Sequence, residues 1–287
     1  MKIGIGLPNP VPGIKGRLLV EWATRAEEAG FSGLVTIDRI AYPSYDSLTT
    51  LTAAAAATER ISLMTNILLA PVYSPVLLAK TAASIDQISD GRLTLGLAPG
   101  GRPDDYEITG GDFHRRGRLF DDGLEVMHKV WRGEALAEGS SPVGPTPTTD
   151  ERVPILFGGN TDKAIERILR WGEGWTAGGA PVEHTAPYAK RVRDAWTTAG
   201  RSGEPRIATL TYFSLGEDAE EASRDYLLNY YRVIGDYAQV IADSALRSTS
   251  QLRDTVKASE DAGFTELYFD PTVAQLDQID RLADAVL

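Results

Sequence analysis

The 287 residues include no cysteine. That removes disulfides, a thiol nucleophile and cysteine-ligated zinc or iron–sulfur centres, and it accords with a reducing cytoplasm. Histidine is scarce as well: His114, His128 and His184 are scattered without metal-ligand spacing, so no metal site is expected. No apolar run approaches the ~18 residues of a membrane helix. The start, Met1-Lys2, runs into a strand-like segment rather than the basic-then-apolar pattern of a signal peptide. A cytoplasmic protein without a membrane partner is the expectation. Basic residues are in deficit, with 29 Lys and Arg against 40 Asp and Glu, a net charge of −11. Such a surface repels phosphate backbones, so nucleic acid is not an expected partner. Arg115, Arg116 and Arg118 form one short basic patch, better suited to a small anion than to a duplex.

The rest of the chain is an alternation of short apolar runs and amphipathic stretches. Strands are expected at Lys2–Leu7, Leu34–Ile37, Ile61–Leu69, Leu93–Ala98, Pro154–Phe157, Gly174–Ala177, Ile207–Phe213 and Glu266–Phe269. Between them lie helical patterns: one carrying Leu18, Trp22, Ala26 and Ala29 and stopped by Gly30, then Leu48–Thr58, Val76–Ile88, Leu119–Trp131, Asp162–Trp171, Glu183–Ala199, a long helical region from Glu217 to about Leu246, Ser250–Ala262 and Val273–Leu287. Pro99–Arg118 reads as a loop. Gly133–Arg152, rich in Gly, Ser, Pro and Thr, reads as an exposed insertion in a single domain spanning residues 1–287. Eight strands, each followed by a helix, predict a closed (β/α)8 barrel of the α/β class. An open doubly wound sheet is the alternative, but Gly4-Ile5-Gly6 lies inside a strand and makes a poor phosphate loop.

In such a barrel, chemistry sits at the carboxyl ends of the strands. No lysine falls there, which disfavours a Schiff-base aldolase, and no histidine falls there, which disfavours a metal-dependent hydrolase. Asp38 and Asp270 end strands and could form a glycosidase pair, although aspartate is also an ordinary turn residue. Glycine is what recurs. Gly158-Gly159-Asn160-Thr161 precedes a helix, and Gly178-Gly179 follows the next strand. Two such turns on neighbouring strands suit one phosphate held by backbone N–H groups. They would serve equally as plain turns.

The run Ile61-Ser62-Leu63-Met64-Thr65-Asn66-Ile67-Leu68-Leu69-Ala70-Pro71, continued by Ser74-Pro75-Val76-Leu77-Leu78-Ala79-Lys80 and by Ile85-Asp86-Gln87-Ile88-Ser89-Asp90-Gly91-Arg92-Leu93-Thr94-Leu95-Gly96-Leu97, resembles the signature of the bacterial luciferase-like family of flavin- and deazaflavin-dependent oxidoreductases. Arg116 through Trp131, Pro154 through Asn160 and Gly172-Glu173-Gly174-Trp175 continue the likeness, which is good over about residues 1–200 and afterwards rests on strand–helix order. The resemblance implies a luciferase-like TIM barrel with FMN, or the deazaflavin coenzyme F-420, in its mouth. It implies that Asp38, Asn66, Ile67, Ala98, Gly100 and Gly101 surround the ring, with a non-prolyl cis peptide at Asn66-Ile67, and that Gly158, Gly159, Asn160, Gly178 and Gly179 hold the phosphate. It also implies a homodimer, with the helix of the alanine run Ala53–Ala57 at the contact.

Two departures from the family pattern bear on function. Many members have a histidine after the aspartate that ends the second strand, where this chain has Arg39. The sugar-phosphate dehydrogenases of the family have a glutamate where this chain has Gly101. Arg39 and the loop residue His114 are therefore the candidate catalytic groups, with an ion pair for Arg39 and simple exposure for His114 as the plainer readings. Tyr226, Tyr230, Tyr231 and Tyr237 read as a core stripe, or as a roof over a substrate pocket. The leading expectation is a monooxygenase that uses reduced FMN, supplied by a separate reductase, and O2 on a small organic substrate. The alternatives are hydride transfer with coenzyme F-420, for whose tail Arg102, Arg115 and Arg116 are candidates, and a flavin-binding relative without catalysis.

Overall fold

The computed structural model describes residues 1–148, 152–216 and 219–287. Eight parallel strands close on themselves in sequence order: β1 (Lys2–Gly6), β2 (Gly33–Thr36), β3 (Ser62–Leu69), β4 (Leu93–Ala98), β5 (Ile155–Phe157), β6 (Gly174–Thr176), β7 (Arg206–Phe213) and β8 (Glu266–Pro271). The barrel is sealed where β1 pairs with β8, Lys2 opposite Glu266 through Ile5 opposite Phe269. Around it run α1 (Gly16–Glu28), α2 (Ser47–Ala57), α3 (Pro75–Ile88), α4 (Pro103–Thr109), α5 (Arg116–Trp131), α6 (Asp162–Trp171), α7 (Val182–Thr198), α8 (Ala219–Tyr231), α9 (Tyr237–Ser244), α10 (Thr249–Asp261) and α11 (Asp277–Val286). Local chemistry sets several helix starts. The side chains of Asp46, Thr161 and Ser248 accept the Thr49, Ala164 and Gln251 N–H groups, which have no partner inside their helices.

All eight expected strands are present. Three helical expectations change. The presumed loop 99–118 contains α4 and a short 3-10 turn, Phe113–Arg115. Pro103 opens α4 at a position where its missing N–H costs nothing, and Gly110, at φ 73°, closes it. The long helical region is divided into α8, a 3-10 turn at Arg232–Ile234 and α9, broken at Gly235 with φ 63°; its expected start at Glu217 lies outside the described residues. The last helix begins at Asp277 rather than Val273. Within the presumed insertion, residues 134–142 are exposed, whereas 144–148 are tied to α3: Lys80 and Gln87 donate to the Gly144 and Thr146 carbonyls, and Thr148 donates twice to Asp86. Residues 149–151 of that stretch lie outside the described residues.

Strand residues alternate between two cores. Leu34, Leu63, Ile155 and Leu267 face the helices and pack with Trp22, Leu78 and Trp131. Their neighbours Val35, Met64, Leu156 and Tyr268 fill the barrel beneath the tyrosines of α8. Gly4 and Gly6 are explained from the opposite strand, since a Cβ at Gly4 would lie 2.4 Å from the Tyr268 ring and one at Gly6 1.9 Å from Asp270 Oδ1. At the amino-terminal end of the barrel, Arg206 makes a two-bonded pair with Glu266 (2.7 and 3.1 Å), which also accepts from Tyr268. The turn from α2 into β3 is clamped from both sides. Glu27 accepts the Glu59, Arg60 and Ile61 N–H groups, and Arg92 donates to the Ala55, Thr58, Ile61 and Ser89 carbonyls and to Thr58 Oγ1. Arg92→Ala leaves these carbonyls without their donor and should lower unfolding stability by about 2–4 kcal/mol in urea titration, whereas Arg60→Ala, at an exposed position, should change it by less than about 0.5 kcal/mol.

Candidate active site at the barrel mouth

The site begins with an irregularity in β3. Thr65 pairs with Leu95, but the next partners are Leu68 and Leu97, so β3 carries one residue more than β4 there. Thr65 Oγ1 bridges the break by donating to the Gly96 carbonyl (2.9 Å) and accepting from Gly96 N–H (3.0 Å). Gly96 is required at this point, because a Cβ would stand 2.0 Å from the Thr65 carbonyl oxygen. The Asn66–Ile67 peptide in the bulge is cis. Its two side chains enter the mouth of the barrel. Asn66 Oδ1 accepts from Thr176 Oγ1 (2.8 Å), and its buried Nδ2 has no protein partner among the described residues. Ile67 packs directly on Gly158, where a Cβ would lie 2.2 Å from Ile67 Cδ1.

Above this point is a cavity of about 330 Å³, within the range of small-molecule sites. Asp38, Asn66, Ile67, Ala98, Gly100 and Gly101 line one part of it, and Gly158, Gly159, Gly178 and Gly179 another. The N–H groups of Gly159, Asn160, Gly178 and Gly179 have no backbone acceptor among the described residues, and the Cβ position of Gly178 is open. These N–H groups lie beside a wall of small residues. Asn160 itself lies in an adjoining groove with Trp175, His184 and Tyr237.

The two candidate catalytic side chains do not line the cavity. His114 is exposed on the turn before α5. Arg39 is 4% exposed. It donates to Asp104 on α4 (3.0 Å) and to the Tyr230 carbonyl on α8, and its guanidinium stacks on Tyr42 and Tyr230 with centroid distances of 5.0 and 5.5 Å. The ion pair that was the plainer reading of Arg39 is made with Asp104. Of the three arginines offered for a cofactor tail, Arg102 does line the cavity. Its Nε donates to the buried Asp105 (2.9 Å) and its Nη2 to the Asp38 carbonyl (2.8 Å). Its place directly after the Gly100-Gly101 strand-end turn was the available signal. Arg116 is spent on the Gly100 and Phe113 carbonyls, and Arg115 is exposed. The tyrosines divide: Tyr226 and Tyr230 are buried, Tyr230 and Tyr231 also form the cavity roof with Tyr212, and Tyr237 is exposed.

Asp270 is fully buried, outside the cavity lining, with neither oxygen hydrogen-bonded among the described residues, so the glycosidase pair is not assembled in the mouth. Burial alone pushes its pKa well up. Asp38 is also buried, and desolvation raises it to about 6 against the opposing effect of hydrogen bonds from Leu69 N–H, Ser47 and Tyr73. Burial likewise holds the Tyr212, Tyr230 and Tyr231 hydroxyls protonated. The described residues contain no cluster of three or more metal-binding side chains and no helix long and apolar enough to cross a membrane.

A closed eight-stranded parallel barrel with a small-molecule cavity at its mouth is the frame of a barrel enzyme. The profile of the luciferase-like monooxygenase family matches residues 1–263, and the chain belongs to that family. Over 173 residues it is 33% identical to an uncharacterized protein of Mycobacterium tuberculosis, a match covering 58% of this chain; the chain spans 61% of that relative's length. Among solved structures, the monooxygenase RslO1 from Streptomyces bottropensis is similar at TM-score 0.79 and 25% identity, covering 99% of this chain and 97% of that one. A coenzyme F-420-dependent secondary alcohol dehydrogenase has TM-score 0.76 and 18% identity, with 99% and 98% covered. A type II Baeyer–Villiger monooxygenase from Pseudomonas putida, solved with FMN, has TM-score 0.73 and 15% identity, with 100% and 99% covered. The last two are likenesses of fold. The neighbours therefore include flavin and deazaflavin enzymes alike.

The raised Asp38 pKa has a direct consequence for stability. The folded chain holds this proton through the interval between 3.8 and about 6, where the unfolded chain releases it. The contribution of Asp38 is therefore full below about pH 4 and is lost as the pH rises through about 6. The stability difference between wild type and Asp38→Asn should shift by roughly 2–3 kcal/mol in favour of Asn between pH 4 and 7, measured by urea unfolding across that range. A pH-independent difference would show that the carboxyl is not desolvated.

Proposed function

We propose that the protein is a flavin-dependent monooxygenase that uses reduced FMN, delivered by a separate reductase, and O2 to oxidise a small organic substrate. The observation that carries this reading is that the described lining of the chamber offers no histidine, lysine or free carboxylate as a base. Arg39 is locked in an ion pair, position 101 has no side chain, and His114 lies outside. Asp38 is the one carboxyl in the described lining, and both of its oxygens already accept hydrogen bonds. Hydride transfer from a hydroxyl substrate calls for a base beside it to take the proton. An oxygenase asks its protein mainly to position the reactants and keep water out.

The residues present fit the cofactor. Ile67 would support the ring, with the unpartnered Asn66 Nδ2 available to a ring acceptor and Ala98, Gly100 and Gly101 beside it. The N–H groups of Gly159, Asn160, Gly178 and Gly179 would hold the phosphate, with Gly158 completing the turn. When bound, reduced FMN supplies the activation of oxygen. The tyrosine roof and the apolar walls of Ile37, Leu210 and Ile234 would exclude water.

The test is a parallel titration with FMN and coenzyme F-420, each oxidised and reduced, followed by fluorescence and calorimetry. Tighter binding of reduced FMN than of F-420 is expected. Tight F-420 with weak FMN would overturn the reading in favour of hydride transfer, and binding of neither would leave a non-catalytic relative. The phosphate cradle has its own check. An aspartate side chain fits the open space at Gly178 but repels a phosphate. Gly178→Asp should weaken FMN by at least about tenfold while changing riboflavin, which lacks the phosphate, by less than about threefold.

A further inference from the structure

The half of the cavity lined by Arg102, Tyr230 and Tyr231 carries a chemical bias. Tyr212 continues this aromatic lining toward Gly179, where a Cβ would lie 2.5 Å from its ring. The Tyr230 ring meets Tyr231 edge to face at 4.9 Å and has the Arg102 guanidinium 5.6 Å from its centroid. The Tyr212 and Tyr231 hydroxyls are hydrogen-bonded to each other. Whichever of the two donates, the other keeps a hydroxyl proton to give. Arg102 spends Nε on Asp105 and Nη2 on the Asp38 carbonyl, and its Nη1 has no partner among the described residues. The carboxylate in this half offers no counterpart, because Asp38 Oδ1 accepts from Ser47 and Tyr73 and Oδ2 from Leu69 N–H and Tyr73. The unused side-chain capacity is thus two donor groups, Arg102 Nη1 and one tyrosine hydroxyl, set into an aromatic roof.

The geometry points to a substrate subsite for a planar aromatic compound that carries an acceptor oxygen, a ketone or quinone carbonyl, with Arg102 as the residue that selects for that oxygen. This inference rests on the reading above in leaving the Ile67 wall and the glycine turns to the cofactor. The flat π-face is matched to edge-to-face contact with the tyrosines. The carbonyl is matched to the donors, which would be left unpaired against a hydrocarbon of the same shape. The charge at Arg102 is already balanced by Asp105, so the selection is for an acceptor rather than for an anion.

The test uses two probes of one shape, α-tetralone and its oxygen-free parent tetralin, titrated by calorimetry and ligand-observed NMR into the full chain, with and without saturating FMN. Tetralone should bind at least about tenfold more tightly than tetralin in both conditions, the advantage of a charge-assisted hydrogen bond. In Arg102→Met the discrimination should fall below about threefold while tetralin affinity is kept; a collapsed pocket would instead weaken both probes, and Arg102→Lys, which keeps a donor, should restore part of the preference. Equal affinity of the two probes for wild type, or no binding of either, overturns the proposal, as does displacement of tetralone by FMN. If FMN fails to bind and the preference for tetralone persists, the cofactor reading fails and the subsite stands.

Discussion

A single side-chain hydroxyl, standing in for part of a strand ladder, sets the geometry of the barrel mouth. Thr65 Oγ1 both donates to and accepts from Gly96, and so lets β3 carry an extra residue without leaving the β4 edge unpaired. In a regular strand the faces alternate strictly, and a one-residue shift sends every following side chain to the other side. The bulge is what allows Asn66 and Ile67 both to serve the mouth while Leu68 returns to the helix-facing core. From there the dependence runs outward. Ile67 needs Gly158 bare, and Asn66 takes its orientation from Thr176 on β6. Residues of β3 and of the turns after β5 and β6 thereby come together in one cavity.

The second organising element is electrostatic. Asp105 accepts from Arg102 and from the Ile40 and Ala41 N–H groups, and Arg39 reaches Asp104 and the Tyr230 carbonyl. Three segments that touch the cavity, after β2, after β4 and along α8, are thereby held in one arrangement. Buried ion pairs of this kind contribute little net stability, because desolvation offsets most of the attraction. What they provide here is geometry: the roof is held over the chamber by charges that are themselves largely removed from solvent.

The barrel could be read from the chain because its information is local and periodic: eight apolar runs, each followed by an amphipathic stretch and most ended by a turn residue. The backbone part of the site was legible for the same reason, since glycines at strand ends and the Thr65-Asn66-Ile67 run are local signals. The side-chain part was not. Whether Arg39 enters the mouth or turns away is decided by Asp104, 65 positions later, and by Tyr230, 191 positions later. Why Gly4 and Gly6 stand inside a strand becomes clear only when Tyr268 and Asp270 are brought against them. The loop reading of 99–118 missed α4, although Pro103 is a good first residue of a helix.

The clamp at Arg39 also bears on how the chain's ancestry can be read. An imidazole has two nitrogens and a short stem, so it cannot take over the reach of a guanidinium that spans from Asp104 to the Tyr230 carbonyl. Exchanging arginine for histidine in one step would strand an acid on α4 and unfasten the roof, and the reverse exchange faces the same obstacle until α4 and α8 carry suitable partners. Position 39 is therefore entrenched by its neighbours. A histidine at position 39 is expected only together with other partners at position 104 and along α8.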